Sequence, residues 1–281
     1  MSVPDAVSAG RRELVPVGRR DRVEGAGGEP PAGARHPLAG VRVRTLRGAR
    51  HRDRTADDEE TVIVLELILP RAASVVEVRV DPPVPDVPRP ESVQLGPRVS
   101  EDRRREFETG RHCALEALAR LGVRARSVPR GPSGEPLWPP SVVGSITHCR
   151  GLRAAAVAHR NHLHGIGIDA EPADPLPDEV LPSVAGPAEL ERLRSLCATV
   201  PAVAWDRLLF SAKEAVYKTW YPLTGAWLGF HDVDVRLDPA GRFTARLPPA
   251  GITVAGERRT VLRGTWAAVD GFVLTAVTLP A

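Results

Sequence analysis

The chain has 281 residues, of which 42% are hydrophobic, and its formal net charge at pH 7 is only +3. This charge is too small to indicate nucleic acid as a partner, and no run of about 18 apolar residues is present to span a bilayer. The first residues lack the apolar segment of a signal peptide, so we expect a cytoplasmic protein that does not bind membranes.

The first 60 residues are predicted to form a poorly ordered extension. They include a segment rich in Gly, Pro and Ala, and the stretch that ends at Glu60 is charged, with little hydrophobic periodicity. One hypothesis places the natural start of the protein further along the chain. The folded part is therefore expected to occupy residues 61–281.

The folded part begins with two predicted strands and a helix. Apolar, β-branched runs at 61–69 and 74–80 predict the strands. Residues 100–121 predict a helix, because Ser100 can cap its N-terminus and an apolar stripe recurs at helical spacing. Gly122 is expected to end this helix.

The rest of the chain alternates between strands and helices. The predicted elements are a hairpin over 142–159, a strand over 164–171, helices over 187–198 and 201–221, and two hairpins over 233–247 and 264–279. The second of these helices is expected to end before Pro222, because proline interrupts the helical hydrogen bonds. The resulting order of β, α, β, β, α, α, β predicts an α+β fold built from two similar halves around one site.

Two acidic residues in the predicted strand at 164–171 indicate a metal site. Asp169 and Glu171 are two residues apart, so their side chains leave the same face of the strand. Their oxygens suit a hard ion such as magnesium, which takes one or two carboxylates and completes its shell with water and substrate phosphate. A solvated sheet edge is the alternative interpretation of such a pair.

The lysines point to the predicted helix at 201–221. The chain has only two lysines, Lys213 and Lys218, and the other 36 of its 38 basic residues are arginines, which indicates a site that needs a compact ammonium group. Glu214 and Lys218 are four residues apart and share one helix face. Glu214 is a candidate to complete the metal shell and accept a proton, and Lys218 to neutralise a phosphate. An ordinary ion pair on the helix surface is the alternative.

Further basic residues suit phosphate binding. His148 follows Ser145 and Thr147 at the end of a predicted strand, where hydroxyls and an imidazole can form a phosphate cradle, although a structural histidine is the alternative. Arg103 and Arg111 are two helical turns apart and face the same way. Arginines in this arrangement bind phosphate, but a solvated face is equally compatible with so arginine-rich a chain.

These segments together resemble the phosphopantetheinyl transferase superfamily, in the branch like the enterobactin synthetase component that primes siderophore, polyketide and nonribosomal peptide assembly lines. The matching motifs are RRREFETGRHCA (103–114), GEPLWPPSVVGSITHC (134–149), GIGIDAEP (165–172) and WDRLLFSAKEAVYKTWYPLTGAWLGF (205–230). They extend over most of residues 61–281, and their combination and order are highly specific.

The resemblance implies two pseudo-symmetric α/β halves, 61–163 and 164–281, with coenzyme A and magnesium in the cleft between them; manganese is the alternative ion. The residues that it implies as metal ligands are Asp169, Glu171 and Glu214. Those implied in catalysis are Glu214, Lys218 and His148. Those implied in binding coenzyme A are Arg103, Arg111, Arg130, Gly131, Thr147, His148, Asp169, Lys213, Glu214, Lys218 and Leu228.

Two positions depart from the pattern of the family. Ser133 stands where relatives often carry a second basic residue, which bears on the strength of coenzyme A binding. Ala226 stands where a basic residue is also common, which bears on docking of the carrier protein.

The reaction implied is transfer of 4'-phosphopantetheine from coenzyme A to a serine of an apo acyl or peptidyl carrier protein, with release of adenosine 3',5'-bisphosphate. We expect a monomer, because one chain supplies the whole site. The alternatives are a metal-dependent phosphodiesterase or nuclease, whose sites also combine carboxylates with lysine, and a non-catalytic module that binds coenzyme A.

Overall fold

The computed structural model describes residues 64–81, 95 and 99–281. The extension predicted over residues 1–60 lies outside the described residues, as does most of the proline-rich stretch from 82 to 98. In the described part, four α-helices combine with antiparallel strands, so the predicted α+β class is confirmed. None of the described helices is long and apolar enough to cross a membrane.

The helices are α1 (Glu101–Arg120), α2 (Leu181–Val184), α3 (Pro187–Thr199) and α4 (Trp205–Thr224). The strands are β1 (Ser74–Val78), β2 (Val142–Cys149), β3 (Leu152–His159), β4 (Leu163–Pro172), β5 (Asp234–Asp238), β6 (Arg242–Arg246), β7 (Ile252–Val254), β8 (Glu257–Arg259), β9 (Val261–Val269) and β10 (Phe272–Pro280). Short 3-10 helices cover Val64–Leu67 and Phe230–Asp232.

The strands form two main sheets that are joined by side chains. One sheet has the order β1-β3-β2 and the other β4-β10-β9-β6-β5, while β7 and β8 form a separate hairpin. The hydroxyl of Ser145 on β2 accepts a hydrogen bond from the backbone N–H of Ile168 on β4 at 3.1 Å. Thr147 accepts one from the N–H of Ala170 in the same way, also at 3.1 Å. Two serine or threonine side chains thus take the place of a backbone ladder between β2 and β4.

Helix α1 packs on the smaller sheet. Ser100 begins the helix as predicted, because its side chain accepts a hydrogen bond from the backbone N–H of Arg103. The helix ends just before Gly122, whose φ of 80° requires glycine. Its buried apolar residues are Cys113, Ala114, Ala117 and Leu118, and they pack with Val76, Val142, Ala155 and Val157 of the sheet.

Helix α4 packs on the larger sheet at very short range. A Cβ atom at Gly167 of β4 would lie 2.2 Å from the carbonyl oxygen of Ala215 on α4, so glycine is needed where the two elements touch. The apolar side of the helix is buried in the core through Trp205, Leu208, Ala212 and Val216. Close to this contact, Lys218 of α4 reaches Asp169 of β4.

Two predictions of secondary structure were wrong. Residues 61–69 do not form a strand in their described part: Val64–Leu67 is a 3-10 helix, whose first backbone N–H groups donate to the buried carboxylate of Glu77. Helix α4 does not end before Pro222 but continues to Thr224. Proline removes a single hydrogen bond there, and the helix ends at Gly225, whose φ is 65° and whose N–H donates to Tyr221.

The other predicted elements are present, and three short features were not predicted: helix α2, the 3-10 helix at Phe230–Asp232 and the β7–β8 hairpin. Helix α2 and the β7–β8 hairpin span only three or four residues per element, too few for a periodic pattern to be read. The division of residues 61–281 into two pseudo-symmetric halves at residue 163 stays a prediction.

Candidate active site

A cavity of about 590 Å³ opens between α1 and β2 on one side and α4 on the other. The α1 and β2 wall contributes Arg103, Glu106, Phe107, Arg111, Ser145 and His148. The α4 wall contributes Glu214, Tyr217, Lys218 and Tyr221, and the loop from Arg130 to Pro136 closes one side. Basic side chains therefore face a wall that carries both an acid and a lysine.

Asp169 lies behind the α4 wall, on β4. One oxygen of its buried carboxylate, Oδ1, accepts hydrogen bonds from Lys218 Nζ at 2.6 Å and from the Thr147 hydroxyl at 3.2 Å. Its other oxygen, Oδ2, is buried and has no hydrogen-bond partner among the described residues. A buried carboxylate oxygen without a partner is uncommon, and a cation would satisfy it.

The pKa of Lys218 is the outcome of opposing effects. Burial acts to lower the pKa, but the carboxylates of Asp169 and Glu214 outweigh it, so that the pKa of Lys218 is raised. The ammonium group is therefore held in its charged form next to the cavity. It can neutralise a phosphate there without a change of protonation state.

The surroundings of Glu171 and Glu214 disfavour the ionised form of each carboxyl group. Burial, with the nearby Asp169 carboxylate, raises the pKa of Glu171 to about 7. Burial also raises the pKa of Glu214, against the opposing effect of Lys218. Glu171 is paired with Arg207 of α4, whose Nη1 lies 3.2 Å from Oε2. A further cation near these carboxylates would relieve their mutual repulsion.

These carboxylates fit a magnesium ion that is shared with a substrate. No group of three or more His, Cys, Asp or Glu side chains among the described residues is arranged to hold a metal ion by itself. Magnesium, however, is usually bound by one or two carboxylates, while waters and phosphate oxygens complete its shell. The unpartnered Oδ2 of Asp169 and the crowded carboxylates of Glu171 and Glu214 match that pattern.

On the opposite wall, His148 and Arg103 are in direct contact. Arg103 Nη1 lies 2.5 Å from His148 Nε2, and arginine can only donate, so Nε2 is the acceptor. Burial, reinforced by the charges of Arg103 and Lys218, lowers the pKa of His148 to about 3. The imidazole is therefore neutral at physiological pH.

Two more arginines of the prediction, Arg111 and Arg130, also lie at the cavity. The buried Arg111 stacks its guanidinium 4.6 Å above the ring of Phe107, and Arg130 lines the neighbouring loop. Gly131 shapes this loop rather than lining the cavity, since its N–H donates to the carbonyl of Glu135 and a Cβ atom would collide with the Glu135 side chain. Thr147 likewise bonds Asp169 and β4 rather than facing the cavity.

Two predicted residues lie elsewhere. Lys213 is buried on another side of α4, and its ammonium donates to Glu189 Oε2 at 2.7 Å and to the carbonyls of Val184 and Phe230 at 2.8 and 2.7 Å. All three of its protons are engaged, so the expectation that Lys213 binds coenzyme A is wrong. Leu228 packs in the core under α4 and does not line the cavity.

Several residues of the site were not predicted from the sequence. Glu106, Tyr217 and Tyr221 line the cavity, and the Tyr221 hydroxyl donates to Ser133 across its mouth at 2.5 Å. A signal existed for Glu106, which lies three residues after Arg103 and therefore on the same helix face. No signal existed for Tyr221, because its partner is 88 residues away in the chain.

Two family models match the chain in succession. The model described as the 4'-phosphopantetheinyl transferase N-terminal domain matches residues 93–158. The model described as the 4'-phosphopantetheinyl transferase superfamily matches residues 165–276. The two matches include the residues that form both walls of the cavity.

Curated relatives carry related names. The chain is 50% identical over 193 residues to 4'-phosphopantetheinyl transferase Svp of Streptomyces mobaraensis, covering 68% of this chain and 78% of the relative. It is 46% identical over 198 residues to 4'-phosphopantetheinyl transferase PptT of Mycobacterium tuberculosis H37Rv, covering 68% and 86%. It is 34% identical over 176 residues to enterobactin synthase component D of Salmonella typhimurium LT2, covering 62% and 71%.

Proposed function

The chain belongs to the 4'-phosphopantetheinyl transferase superfamily, and from this premise we propose that it transfers 4'-phosphopantetheine from coenzyme A to a serine of an apo acyl or peptidyl carrier protein. Relatives that are named for this transfer favour it over a phosphodiesterase or nuclease, although both chemistries use carboxylates and lysine. Adenosine 3',5'-bisphosphate is the second product.

One observation carries the proposal: the Lys218–Asp169 pair lies beside a cavity whose opposite wall holds Arg103, Arg111 and His148. A donor with several phosphate groups needs positive charge along its length, and the cavity offers it from two sides. Arg103, Arg111 and Arg130 suit the adenosine phosphates. Lys218 suits the pyrophosphate at which the bond is exchanged.

The carboxylate of Glu214 suits the role of base. The serine oxygen forms a bond to the β-phosphorus of coenzyme A, and the bond from that phosphorus to the bridging oxygen breaks, so its electron pair leaves with adenosine 3',5'-bisphosphate. The serine proton passes to Glu214, whose raised pKa makes it a stronger base than an exposed glutamate. Lys218 stabilises the negative charge on the pyrophosphate oxygens.

We assign the metal ligands to Asp169, Glu171 and Glu214. When magnesium is bound, it neutralises negative charge on the phosphate oxygens during the transfer. The residues themselves fix the geometry: Thr147 and Lys218 hold Oδ1 of Asp169 and leave Oδ2 for the cation. Arg207 limits the position of Glu171.

The proposal is tested by intact-mass analysis of an apo carrier protein incubated with this protein, coenzyme A and magnesium. We expect the carrier to gain one phosphopantetheine group, and a chelator to abolish the gain. Glu214→Gln should lower the rate at least about 100-fold, because an amide can neither accept the proton nor bind the metal as a carboxylate does. The exposed Glu191→Gln on α3 serves as the matched control.

Two results would count against this assignment. The absence of any mass gain with both acyl and peptidyl carriers would overturn the proposed reaction. A wild-type rate for a correctly folded Glu214→Gln protein would remove Glu214 from the mechanism. The choice of carrier, the monomeric state and the cytoplasmic location stay predictions.

A further inference from the structure

The basic wall of the cavity contains a carboxylate that the proposed reaction does not use. Glu106 lies on α1, three residues after Arg103, and its side chain lines the cavity with 25% of its surface exposed. A negative charge at this place repels the phosphate groups that the wall is proposed to bind. The contacts that Glu106 makes with its neighbours indicate what offsets this repulsion.

Glu106 and His148 hold the same nitrogen of Arg103. Nη1 of Arg103 donates to Glu106 Oε2 at 3.2 Å and to His148 Nε2 at 2.5 Å. Both protons of Nη1 are thereby engaged. The N–H groups on Nε and Nη2 are the ones that can meet a phosphate, and their direction follows from the position of Nη1.

The contact with Arg103 fixes the tautomer of His148. Because His148 Nε2 accepts from Arg103, the proton of the neutral ring is on Nδ1. Nδ1 lies 3.7 Å from Glu106 Oε2, which is too far for a hydrogen bond, so Glu106 acts on the imidazole through Arg103. Arg103, Glu106 and His148 therefore form one mutually consistent set.

Arg153 of β3 fixes the position of Glu106. Its Nη2 lies 3.6 Å from Glu106 Oε1 and donates to Asp81 at 3.2 Å, while its Nη1 donates to the carbonyls of Cys149 and Leu152. Its side chain is almost fully buried. Each oxygen of Glu106 thus faces a donor, and the carboxylate is anchored to the sheet rather than free to follow Arg103.

We propose that Glu106 is a positioning residue, which sets the direction of Arg103 and, through Arg103, the tautomer of His148 for the binding of coenzyme A phosphates. The inference rests on the proposed function for the identity of the ligand. It assigns no contact between Glu106 and the substrate. Its effect passes entirely through Arg103 and His148.

The sign of the effect of Glu106→Gln separates positioning from simple charge. If Glu106 acts only through its charge, removing that charge should tighten the binding of polyanionic coenzyme A. If it positions the wall, Glu106→Gln should weaken binding about tenfold, because an amide places an N–H group against one of the two arginine donors, Arg103 or Arg153. Calorimetric titration of the full chain with coenzyme A, and KM against kcat at saturating carrier protein, measure this effect. We expect KM to rise and kcat to change little.

A second variant, Glu106→Asp, keeps the negative charge of the side chain but changes its position. Glu106→Asp withdraws the carboxylate by one methylene, so positioning predicts a loss of affinity similar to that of the Gln variant, and a pure charge effect predicts wild-type affinity. Glu116→Gln is the control, since Glu116 is an exposed residue of α1 that pairs with Arg120 and does not line the cavity. It should leave binding unchanged.

The nitrogen-15 NMR signals of His148 give a readout without substrate. We expect the wild type to show the Nδ1-protonated tautomer, and Glu106→Gln and Glu106→Asp to show a mixture; the spectrum of His148→Gln identifies the signals. Tighter or unchanged binding of coenzyme A by the Gln variant, together with an unchanged tautomer, would overturn the inference. If the wild type bound no coenzyme A, the proposed function would fail, and the tautomer would still decide the role of Glu106.

Discussion

His148 stays neutral in the folded protein because protonation would add a positive charge next to Arg103 and Lys218. Burial is the largest cause of its lowered pKa, and the neighbouring cations add to it. A neutral imidazole can accept a hydrogen bond, which an imidazolium cannot. The hydrogen bond from Arg103 to His148 in the cavity wall therefore exists only while His148 is neutral.

This neutrality should make the stability of the protein depend on pH. In the unfolded chain His148 binds a proton below about pH 6.5, whereas in the folded chain its pKa is about 3. The unfolded state therefore binds more protons between these values, and the free energy of unfolding falls as the pH falls from 6.5. Because the side chain is 36% exposed, we discount the effect to about 1 kcal/mol between pH 6.5 and 5.0.

Urea titrations of the wild type and His148→Gln at both pH values, with a chelator present, measure this difference. We expect the wild type to lose more stability than the variant on acidification. Equal losses in the two proteins would show that His148 titrates normally.

The two lysines were predicted together, but the fold places them in different surroundings. Their isolation in an arginine-rich chain indicated both as site residues. Lys218 lies at the cavity and pairs with Asp169, and its role there stays a prediction. The isolation wrongly indicated Lys213, although residues five apart on a helix point about 140° away from each other. Helical geometry alone would have separated the two, and composition could not.

At the scale of elements, the packing of α4 on β4 determines whether the acid and the lysine meet. The backbones touch at Gly167, which lies two residues before Asp169 on β4, and Ala215 lies three residues before Lys218 on α4. A side chain at Gly167 would push the helix away from the strand. The distance between Lys218 Nζ and Asp169 Oδ1 would then increase.

We expect Gly167→Ala to destabilise the protein by about 3 kcal/mol and to impair transfer, because the added methyl would overlap the carbonyl of Ala215. Gly186→Ala is a suitable control, since a Cβ atom at Gly186 meets nothing closer than 3.8 Å. Thermal unfolding and the carrier-modification assay measure the two effects. Equal melting temperatures for the two variants would contradict this account of the packing.

The long elements were predictable from periodicity and the short ones were not. Helices α1 and α3, strand β4 and the three predicted hairpins are found close to their predicted bounds, because their apolar patterns repeat several times. The run at 61–69 is apolar like a strand, but Glu77 binds its backbone as a 3-10 helix. That contact spans 12 to 13 residues and leaves no local trace.

At the scale of the molecule, the two sheets share one core. A single cluster of buried residues contains Val143, Ala154 and Ala156 of the smaller sheet together with Ile168 and Leu274 of the larger. The side-chain hydrogen bonds from β2 to β4 add to this contact. The family was predictable from four motifs and is confirmed by the comparisons, but this shared core depends on contacts between distant strands.

The shared core predicts that the described part unfolds as one unit, which the cysteines can report. Cys113 and Cys149 are buried in different clusters, and burial raises the pKa of each thiol to about 12, whereas Cys197 is exposed. In a Cys197→Ser protein, we expect both remaining thiols to become reactive to iodoacetamide at the same urea concentration. Reaction of Cys113 at a clearly lower urea concentration would show that α1 unfolds separately.

The placement of the two lysines also decides how this protein can be labelled. An amine reacts with an acylating reagent only as its neutral form, and the ammonium of Lys213 is buried with three acceptors while the raised pKa of Lys218 keeps that group protonated. At near-neutral pH, amine-directed dyes should therefore leave both lysine side chains unmodified, including Lys218 at the cavity.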